Sequence, residues 1–370
     1  MLQNLRPSIC HTLKSSSHQF TFASYIIRKA GIIMTNQVVG YATKEVGGAL
    51  NLFAYAPPKL GEHDVQVAVT HCGVCHTDIQ AINDYYGITP FPFVPGHEIV
   101  GFISEVGTQV SNLKEGDRVG IGWQARSCGE CEWCQKGETQ LCMKIEDTTV
   151  MVPYGGFSTS VVADHRFVYP LSSSMPAEVA AVLMCAGVTV YSAMQTHITR
   201  PDLTVAILGV GGLGHLAIQF AHAFGCEVTA MSSSPDKQEQ ALGFGANHFI
   251  LSNDRGSMQQ VEYGYDLLFC TANNGIHWSQ LLMSLKKRGK LVMLGFPDIE
   301  LNSTNLVAHE LSITGSLIGN PSRMRTMLSF AQDHNIKPMV ELMPMSQVNT
   351  ALQIVKENKA RYRIVLVNDA

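Results

Sequence analysis

The chain has little charge and no long apolar segment. Charged side chains make up 15% of its 370 residues, and the formal net charge is -4. Without a basic excess, binding to nucleic acid or to an anionic membrane surface is not favoured. Gly, Pro or charged residues interrupt every apolar run before it reaches the roughly 18 to 20 residues that a membrane helix needs. The composition predicts a globular, cytoplasmic protein that does not cross a membrane.

Acidic residues are missing from the start of the chain, where the first is Glu45. The basic residues of that region are Arg6, Lys14, Arg28 and Lys29. Such a composition resembles a transit peptide. An upstream start codon, with the main protein beginning at Met34, is the interpretation that we favour. In either case we expect residues 1–33 to be a disordered extension without a chemical role.

Internal repeats and low-complexity tracts are also missing, and the length predicts two domains, since one core usually stops growing below this size. Residues 37 to about 169 contain short β-rich runs separated by turn residues, which predicts a barrel-like all-β domain. Strands and helices alternate after Pro176, and this pattern predicts a doubly wound parallel sheet of six strands. The segment from Ser322 should return to the β-rich part. We therefore predict one domain of residues 34–188 and 323–370 and a second domain of residues 189–322.

A glycine-rich turn follows the apolar run "TVAILGV" and precedes a helical pattern. Gly209, Gly211, Gly212 and Gly214, with Leu213 among them, form G-x-G-G-x-G. Such glycines allow a tight turn, close approach of the backbone to a pyrophosphate and helix-strand contact. A glycine turn without a ligand is the alternative, and the strand-turn-helix context argues against it.

No acidic residue ends the strand after this motif, where an acid would bind the ribose hydroxyls of NAD. Ser232, Ser233 and Ser234 stand there instead. They leave room for a 2′-phosphate, and Lys237 can supply a positive charge to it. This pattern predicts NADP rather than NAD. Asp236 could face the same pocket, or it and Lys237 could be solvated residues of the next helix.

Cysteine is concentrated in one segment, where Cys128, Cys131, Cys134 and Cys142 form C-x-x-C-x-x-C with a fourth cysteine eight positions on. Four thiolates can close a tetrahedron around zinc with no open position, which is typical of a structural site. A disulfide, chance clustering or an iron-sulfur cluster are the alternatives, and the spacing and the rest of the chain favour zinc.

Three further segments carry cysteine or histidine: "HCGVCHTD" (71–78), "VPGHEIVG" (94–101) and "LMCAGVTVY" (183–191). Each such residue alone is more often a core or surface residue. Together with the glycine turn and the four-cysteine segment, they resemble the zinc-dependent medium-chain alcohol dehydrogenases, most closely the cinnamyl alcohol dehydrogenase-like, NADP-using branch. The resemblance runs from about Val38 to Val367. It implies a GroES-like β-barrel beside a Rossmann sheet, hence an α/β protein.

The resemblance implies that Cys75, His97 and Cys185 bind a catalytic zinc ion. Three protein ligands leave the fourth position open for alcohol, aldehyde or water. Glu98 would be a transient partner of the ion. Asp78 would hold His97 through its second ring nitrogen, which fixes the tautomer.

The resemblance also implies roles around the cofactor. Thr77 would accept the proton of the alcohol, and Thr189 would pack behind the nicotinamide ring. Cys72 would be a core residue, and His76 would approach the cofactor phosphates. Many relatives have a histidine at the position of Gln80. Because glutamine cannot exchange a proton near neutral pH, the outer part of the proton relay departs from the family pattern.

The function that the sequence predicts is reversible interconversion of primary alcohols and aldehydes, aromatic or medium-chain aliphatic. "LSITGSLIGN" would be the edge strand through which two subunits form a homodimer. An NAD-dependent polyol dehydrogenase is one alternative, and Cys185 argues against it. Quinone and enoyl reductases lack both zinc sites. A catalytically inactive cofactor-binding or structural protein is a further alternative, as is a zinc-scaffold module.

Overall fold

The structure is a computed structural model, and it describes residues 37–149 and 154–369. The prediction of an extension over residues 1–33 falls outside these ranges. Within them the chain forms two large sheets, one in its β-rich part and one in its α/β part.

The first part of the chain is mainly strand. Its strands are β1 Val38–Ala42, β2 Asn51–Tyr55, β3 Asp64–Val74, β4 Glu98–Val106, β5 Arg118–Ile121, β6 Gln124–Arg126, β7 Glu146–Asp147, β8 Ser160–Asp164 and β9 Val168–Pro170. The helices here are α1 His76–Ile82 and α2 Glu132–Gln135, with 3₁₀ turns at Thr139–Leu141 and His165–Phe167. These two helices lie inside the segment predicted to be all β, so that prediction was too simple. Both begin directly after a cysteine, Cys75 or Cys131.

The α/β part follows. Its elements are α3 Ala177–Val182, a π-helical turn Leu183–Gly187, α4 Val188–His197, β10 Thr204–Leu208, α5 Gly214–Ala223, β11 Glu227–Ser232, a 3₁₀ turn Pro235–Lys237, α6 Gln238–Gly243, β12 His248–Leu251, α7 Arg255–Gln259, β13 Tyr265–Cys270, α8 Trp278–Met283, β14 Leu285–Met293, α9 Ser303–Ala308 and β15 Ser312–Gly315. The last elements are α10 Pro321–Asp333, β16 Val340–Pro344, a 3₁₀ turn Met345–Gln347, α11 Val348–Lys356 and β17 Arg363–Val367.

The predicted parallel sheet of six strands is confirmed. Its order is β12-β11-β10-β13-β14-β15, and every neighbouring pair is parallel. A strand covered on both faces must be apolar throughout, and Val205, Ala206 and Ile207 of β10 are all 0% exposed. One face of the sheet packs against α4 and α5, whereas α8 covers the other. Strand β15, which lies within "LSITGSLIGN", is at the edge of the sheet, as predicted.

The β-rich sheet has the order β16-β17-β3-β4-β5-β9, and β8 also pairs with β3. Strand β17 runs antiparallel to β3 and parallel to β16. The end of the chain therefore returns to the sheet of the first part, as the sequence indicated. The division into domains at residues 188 and 323 stays a prediction.

One continuous helical segment, Ala177–His197, has the length and the mean hydropathy, 1.6, of a membrane span. Its most apolar window is 78% buried inside the protein. This burial is that of a core helix, packed between the two sheets.

Candidate active site and metal centres

The three predicted ligands of the catalytic zinc come from separate elements and meet at one point. Cys75 precedes α1, His97 precedes β4, and Cys185 lies in the π-helical turn. Their donor atoms, together with a carboxylate oxygen of Glu98, lie within 4.8 Å of one another. Two thiolates, an imidazole and a carboxylate are donors that zinc prefers. The residues therefore fit this ion.

Asp78 connects two of these segments. Its Oδ2 accepts the N–H of Cys75 at 2.9 Å, and its Oδ1 accepts the N–H of Gly96 at 3.0 Å. Oδ1 also lies 2.9 Å from Nδ1 of His97. Because Nδ1 faces a carboxylate, Nε2 is the ring nitrogen that is left to bind a metal. The contact predicted between Asp78 and His97 is present.

Glu98 has a partner that the sequence analysis missed. Nη2 of Arg363, at the start of β17, donates to Oε1 of Glu98, and the two side chains are almost fully buried. Oε2 of Glu98 accepts no hydrogen bond from the described residues. Burial raises the pKa of Glu98 to about 7, and the positive charge of Arg363 opposes this shift. The sequence contained one signal for this contact, because Arg363 is the basic first residue of an otherwise apolar strand. Glu98 and Arg363 are 265 positions apart, so no local pattern identifies them as partners.

The thiols of Cys75 and Cys185 have pKa values shifted in opposite directions. A hydrogen bond with Cys185 is the largest effect that holds the pKa of Cys75 well below its usual value. The same hydrogen bond raises the pKa of Cys185. The arrangement therefore stabilises a thiolate at Cys75, which is the ionisation state that binds metal.

The four-cysteine segment forms a second cluster. Sγ of Cys128 lies 3.5 Å from Sγ of Cys142 and 3.9 Å from Sγ of Cys134. A tetrahedral zinc ion with Zn–S bonds of about 2.3 Å would separate its sulfurs by about 3.8 Å. Backbone N–H groups donate to the sulfurs of Cys128 and Cys142. A hydrogen bond from the backbone of Cys134 is the largest of the effects that lower the pKa of Cys131 to about 6. The distances and the stabilised thiolate fit a closed zinc site.

The glycine turn has the geometry of a dinucleotide site. Gly209 directly follows β10 and has φ +94°, a conformation that favours glycine. A Cβ at Gly214 would collide with the carbonyl oxygen of Gly209, whereas one at Gly211 would meet nothing within 4 Å. Helix α5 begins at Gly214, so its N-terminus faces the turn. Such a helix end attracts phosphate.

The residues that follow β11 show which of Asp236 and Lys237 faces the cofactor pocket. Asp236 forms an ion pair with Arg361 at 2.5 Å, and this contact offsets its charge. Nζ of Lys237 donates to the carbonyl oxygen of Val210 at 2.7 Å, beside the glycine turn. Lys237 therefore lines the pocket rather than extending into solvent. Ser232, Ser233 and Ser234 line the same pocket.

A single cavity of about 1170 Å³ joins these groups. Cys75, His97 and Cys185 line one region of it, and the glycine turn and Lys237 line another. Further predicted site residues on its wall are His76, Thr77, Gln80, Cys142, Thr189 and Leu213. Oγ1 of Thr77 is 3.6 Å from Sγ of Cys75. Cys72 is fully buried outside this wall, and burial raises the pKa of its thiol, as expected of a core residue.

Gln80 has a defined partner. The hydroxyl of Tyr86 donates to Oε1 of Gln80 at 3.0 Å, and both side chains line the cavity. An amide with a fixed partner thus stands at the position where the family resemblance implies a histidine. An amide neither takes up nor releases a proton near pH 7.

The chain matches two family models. Residues 61–173 match the alcohol dehydrogenase GroES-like domain, and residues 212–333 match the zinc-binding dehydrogenase family. An aldehyde reductase of Synechocystis is 38% identical over 89% of this chain and 98% of its own length. An 8-hydroxygeraniol dehydrogenase of Catharanthus roseus is 39% identical over 88% of this chain and 94% of its own length.

Solved structures agree with these matches. A cinnamyl alcohol dehydrogenase of Sorghum bicolor is similar with a TM-score of 0.86 and 36% identity, covering 90% of this chain and 98% of its own. A cinnamyl alcohol dehydrogenase of Helicobacter pylori, complexed with NADP(H), has a TM-score of 0.84 and 29% identity, covering 90% and 99%. The fold and the site define an oxidoreductase of the medium-chain dehydrogenase class. The chain belongs to the zinc-dependent alcohol dehydrogenases, in their cinnamyl alcohol dehydrogenase-like branch.

The geometry around Asp78 generates a stability prediction. Asp78→Ala removes the acceptor of two buried N–H groups and of the His97 ring, so we expect the free energy of unfolding to fall by about 3 kcal/mol. Asp78→Asn, which keeps one acceptor oxygen, should cost less. Urea denaturation with a chelator present would measure this without a contribution from metal. Asp117→Ala is the control, because Asp117 accepts the N–H of Lys114 in an exposed turn. Equal losses at both positions would contradict the prediction.

Proposed function

We propose that this chain interconverts primary alcohols and aldehydes, aromatic or medium-chain aliphatic, with NADP(H) as the hydride carrier. One observation carries the proposal: the donor atoms of Cys75, His97 and Cys185 converge in the cavity that the glycine turn also lines. Hydride transfer requires the nicotinamide ring beside an electrophilic carbon, and a cavity that spans both sites allows this.

Cys75, His97 and Cys185 would hold the catalytic zinc. When bound, zinc supplies Lewis acidity, which acidifies an alcohol and polarises a carbonyl group. Asp78 fixes the orientation of the His97 ring, and Glu98 offers a carboxylate beside the ligands. Cys128, Cys131, Cys134 and Cys142 would bind the second ion, which has a structural role.

Proton transfer would begin at Thr77. Its Oγ1 would accept the proton of the alcohol and donate its own proton toward the nicotinamide ribose. Gln80 cannot continue this path, so we propose that the proton leaves through water from the ribose hydroxyl. Thr189, on the same wall, would pack behind the nicotinamide ring.

NADP is the proposed cofactor because the end of β11 offers three serines and a lysine without an unpaired carboxylate. Gly209, Gly211, Gly212, Leu213 and Gly214 would bind the pyrophosphate. Ser232, Ser233, Ser234 and Lys237 would bind the 2′-phosphate. The aldehyde reductase and cinnamyl alcohol dehydrogenase names of the relatives, and the NADP(H) complex among the solved structures, support the same proposal.

A homodimer is proposed through β15. This strand is at the sheet edge, and an unpaired edge can pair with a second copy. Large apolar side chains nearby are exposed, among them Leu317 at 43% and Val307 at 74%. Light scattering should give about twice the chain mass of 40.4 kDa. A monomer mass would contradict this proposal.

A cytoplasmic location is also proposed. All nine cysteines among the described residues are free thiols, and disulfides are rare where thiols are kept reduced. Recovery of the protein in an organelle or outside the cell after fractionation would contradict this location.

The two metal sites can be separated by substitution. We expect two zinc ions per chain in the purified protein, one for each cluster. Cys185→Ser should leave one ion and reduce aldehyde reduction by at least about 1000-fold, because the catalytic ion is lost. Cys131→Ser should remove the other ion and lower thermal stability, since a structural site contributes folding energy.

Metal analysis and NADPH oxidation would measure both effects, with Cys226→Ser as the matched control. Cys226 is a buried thiol of the core, far in sequence from both clusters. Two ions and normal turnover are expected for that variant. Undiminished turnover in a Cys185→Ser protein that lacks its metal would refute the proposed chemistry.

Cofactor choice is tested at Lys237. Lys237→Met removes a positive charge beside the proposed 2′-phosphate position. The KM for NADPH should therefore rise about tenfold, whereas the KM for NADH should change little, because NADH has no phosphate there. Steady-state kinetics with both cofactors give the comparison. Equal changes for the two cofactors would show that Lys237 does not recognise the phosphate.

A further inference from the structure

Two positively charged side chains from distant segments meet at the cavity beyond the end of β11. Lys237 follows β11, and Arg361 lies two residues before β17. Both residues line the cavity wall. Nζ of Lys237 and Cζ of Arg361 each lie 5.9 Å from the centroid of the Tyr362 ring. The two cations are therefore neighbours around one aromatic ring, although they are far apart in the sequence.

Arg361 is held in this place by a carboxylate. Its Nη2 donates to Oδ2 of Asp236 at 2.5 Å, and the side chains of Arg361 and Asp236 are 41% and 58% exposed. Asp236 is not part of the described cavity wall, whereas Arg361 is. A guanidinium carries five N–H donors, so a hydrogen bond to one carboxylate oxygen does not use all of them. The ion pair thus leaves Arg361 able to bind a second anion.

The charges in this part of the wall are not balanced, because two cations face one carboxylate. Burial lowers the pKa of Lys237, and the positive charge of Arg361 lowers it further, whereas Asp236 opposes the shift. The two cations are therefore close enough to repel each other. Such repulsion costs free energy in a partly buried site, and an anion that contacts both cations removes that cost.

Hydroxyl groups extend the set of donors. Ser232, Ser233 and Ser234 line the same cavity. Oγ of Ser232 accepts the N–H of Ser234 at 3.1 Å, and a hydroxyl that accepts one hydrogen bond still has its own hydrogen to donate. A phosphate group has three acceptor oxygens and a charge between about -1.5 and -2 near neutral pH. Such a group matches two cations and several hydroxyl donors.

The position of these donors assigns the phosphate to one part of a dinucleotide. Nζ of Lys237 donates to the carbonyl oxygen of Val210 at 2.7 Å, so the donors lie beside the glycine turn. In a dinucleotide-binding sheet, the residues at the end of the strand after the glycine turn contact the ribose of the adenosine half. The anion that fits between the two cations is therefore a phosphate on that ribose.

We propose that Arg361 is a cofactor-specificity residue, which binds the 2′-phosphate of NADP(H) together with Lys237. This role rests on the proposed use of NADP(H). The phosphate is contacted from two sides, because Lys237 follows a strand of the parallel sheet and Arg361 precedes a strand of the β-rich sheet. Asp236 orients the guanidinium and also repels the phosphate, so it limits the affinity that Arg361 provides.

Binding of two adenosine phosphates tests this role without the redox reaction. Adenosine 2′,5′-bisphosphate and adenosine 5′-phosphate differ in the 2′-phosphate alone, and the wild type should bind the bisphosphate more tightly. Arg361→Gln should raise the Kd for the bisphosphate about tenfold, because a charge-assisted contact is lost. The Kd for the 5′-phosphate should stay unchanged, which also shows that the variant is folded. Isothermal titration calorimetry measures both constants.

Asp236→Asn distinguishes phosphate binding from a purely structural ion pair. Asparagine keeps the size of the side chain and an oxygen that can accept from Arg361, but it removes the negative charge. The Kd for the bisphosphate should therefore fall about threefold. Substitutions at the two ends of one ion pair thus have opposite effects. If the pair only held two segments together, both substitutions would change the affinity in the same direction.

Arg288→Gln and Glu310→Gln are the matched controls. Arg288 and Glu310 form an exposed ion pair at 2.7 Å, and neither residue lines the cavity. Both control variants should bind the two adenosine phosphates as the wild type does. A loss of bisphosphate affinity in Arg288→Gln equal to that in Arg361→Gln would refute the assigned role, because it would follow from the net charge alone.

Three results separate the role of Arg361 from the proposed function. Equal wild-type Kd values for the two adenosine phosphates would refute the proposed NADP preference, and the role of Arg361 with it. A wild-type preference for the bisphosphate that persists in Arg361→Gln would leave the proposed function in place and refute the role of Arg361. Equal losses of bisphosphate affinity in Arg361→Gln and Asp236→Asn would also refute this role, because a structural contact alone gives that result.

Discussion

The carboxylate of Asp78 is the contact on which the active site depends. It accepts backbone N–H groups from Cys75 and Gly96 and holds the ring of His97, so one buried side chain joins the start of α1 to the start of β4. A buried carboxylate is costly unless it is fully hydrogen-bonded. Because its partners are the segments that carry two of the three donors, satisfying this charge also aligns those donors.

The two sheets supply the rest of the geometry. In an open parallel sheet, ligands bind beyond the carboxyl ends of the strands. The glycine turn follows β10, the three serines lie at the end of β11, and Thr271 follows β13. The π-helical turn places Cys185 on the side of α3 and α4 that faces this edge. Such turns widen a helix locally and are frequent at functional sites. Strand β17 then brings Arg363 from the end of the chain to Glu98.

The sequence predicted the parts of the fold that depend on local pattern. The six parallel strands, the glycine turn and the four-cysteine cluster follow from apolar runs and from spacing. The catalytic donors Cys75, His97 and Cys185 were implied by the resemblance to a known family, and the structure brings the donors of each cluster together. Contacts between distant segments could not be predicted in this way. The pairs Glu98–Arg363 and Asp236–Arg361 span 265 and 125 residues, so no local pattern connects them. Helix α1 was missed because its seven residues are too few for a clear helical period.

The buried ion pair of Glu98 and Arg363 places charge beside the zinc ligands. Glu98 is opposed by the guanidinium of Arg363, and this pairing keeps a carboxylate beside the zinc ligands. Buried ion pairs add little net stability compared with apolar packing, so this pair is better understood as a means of placing charge at the ligands.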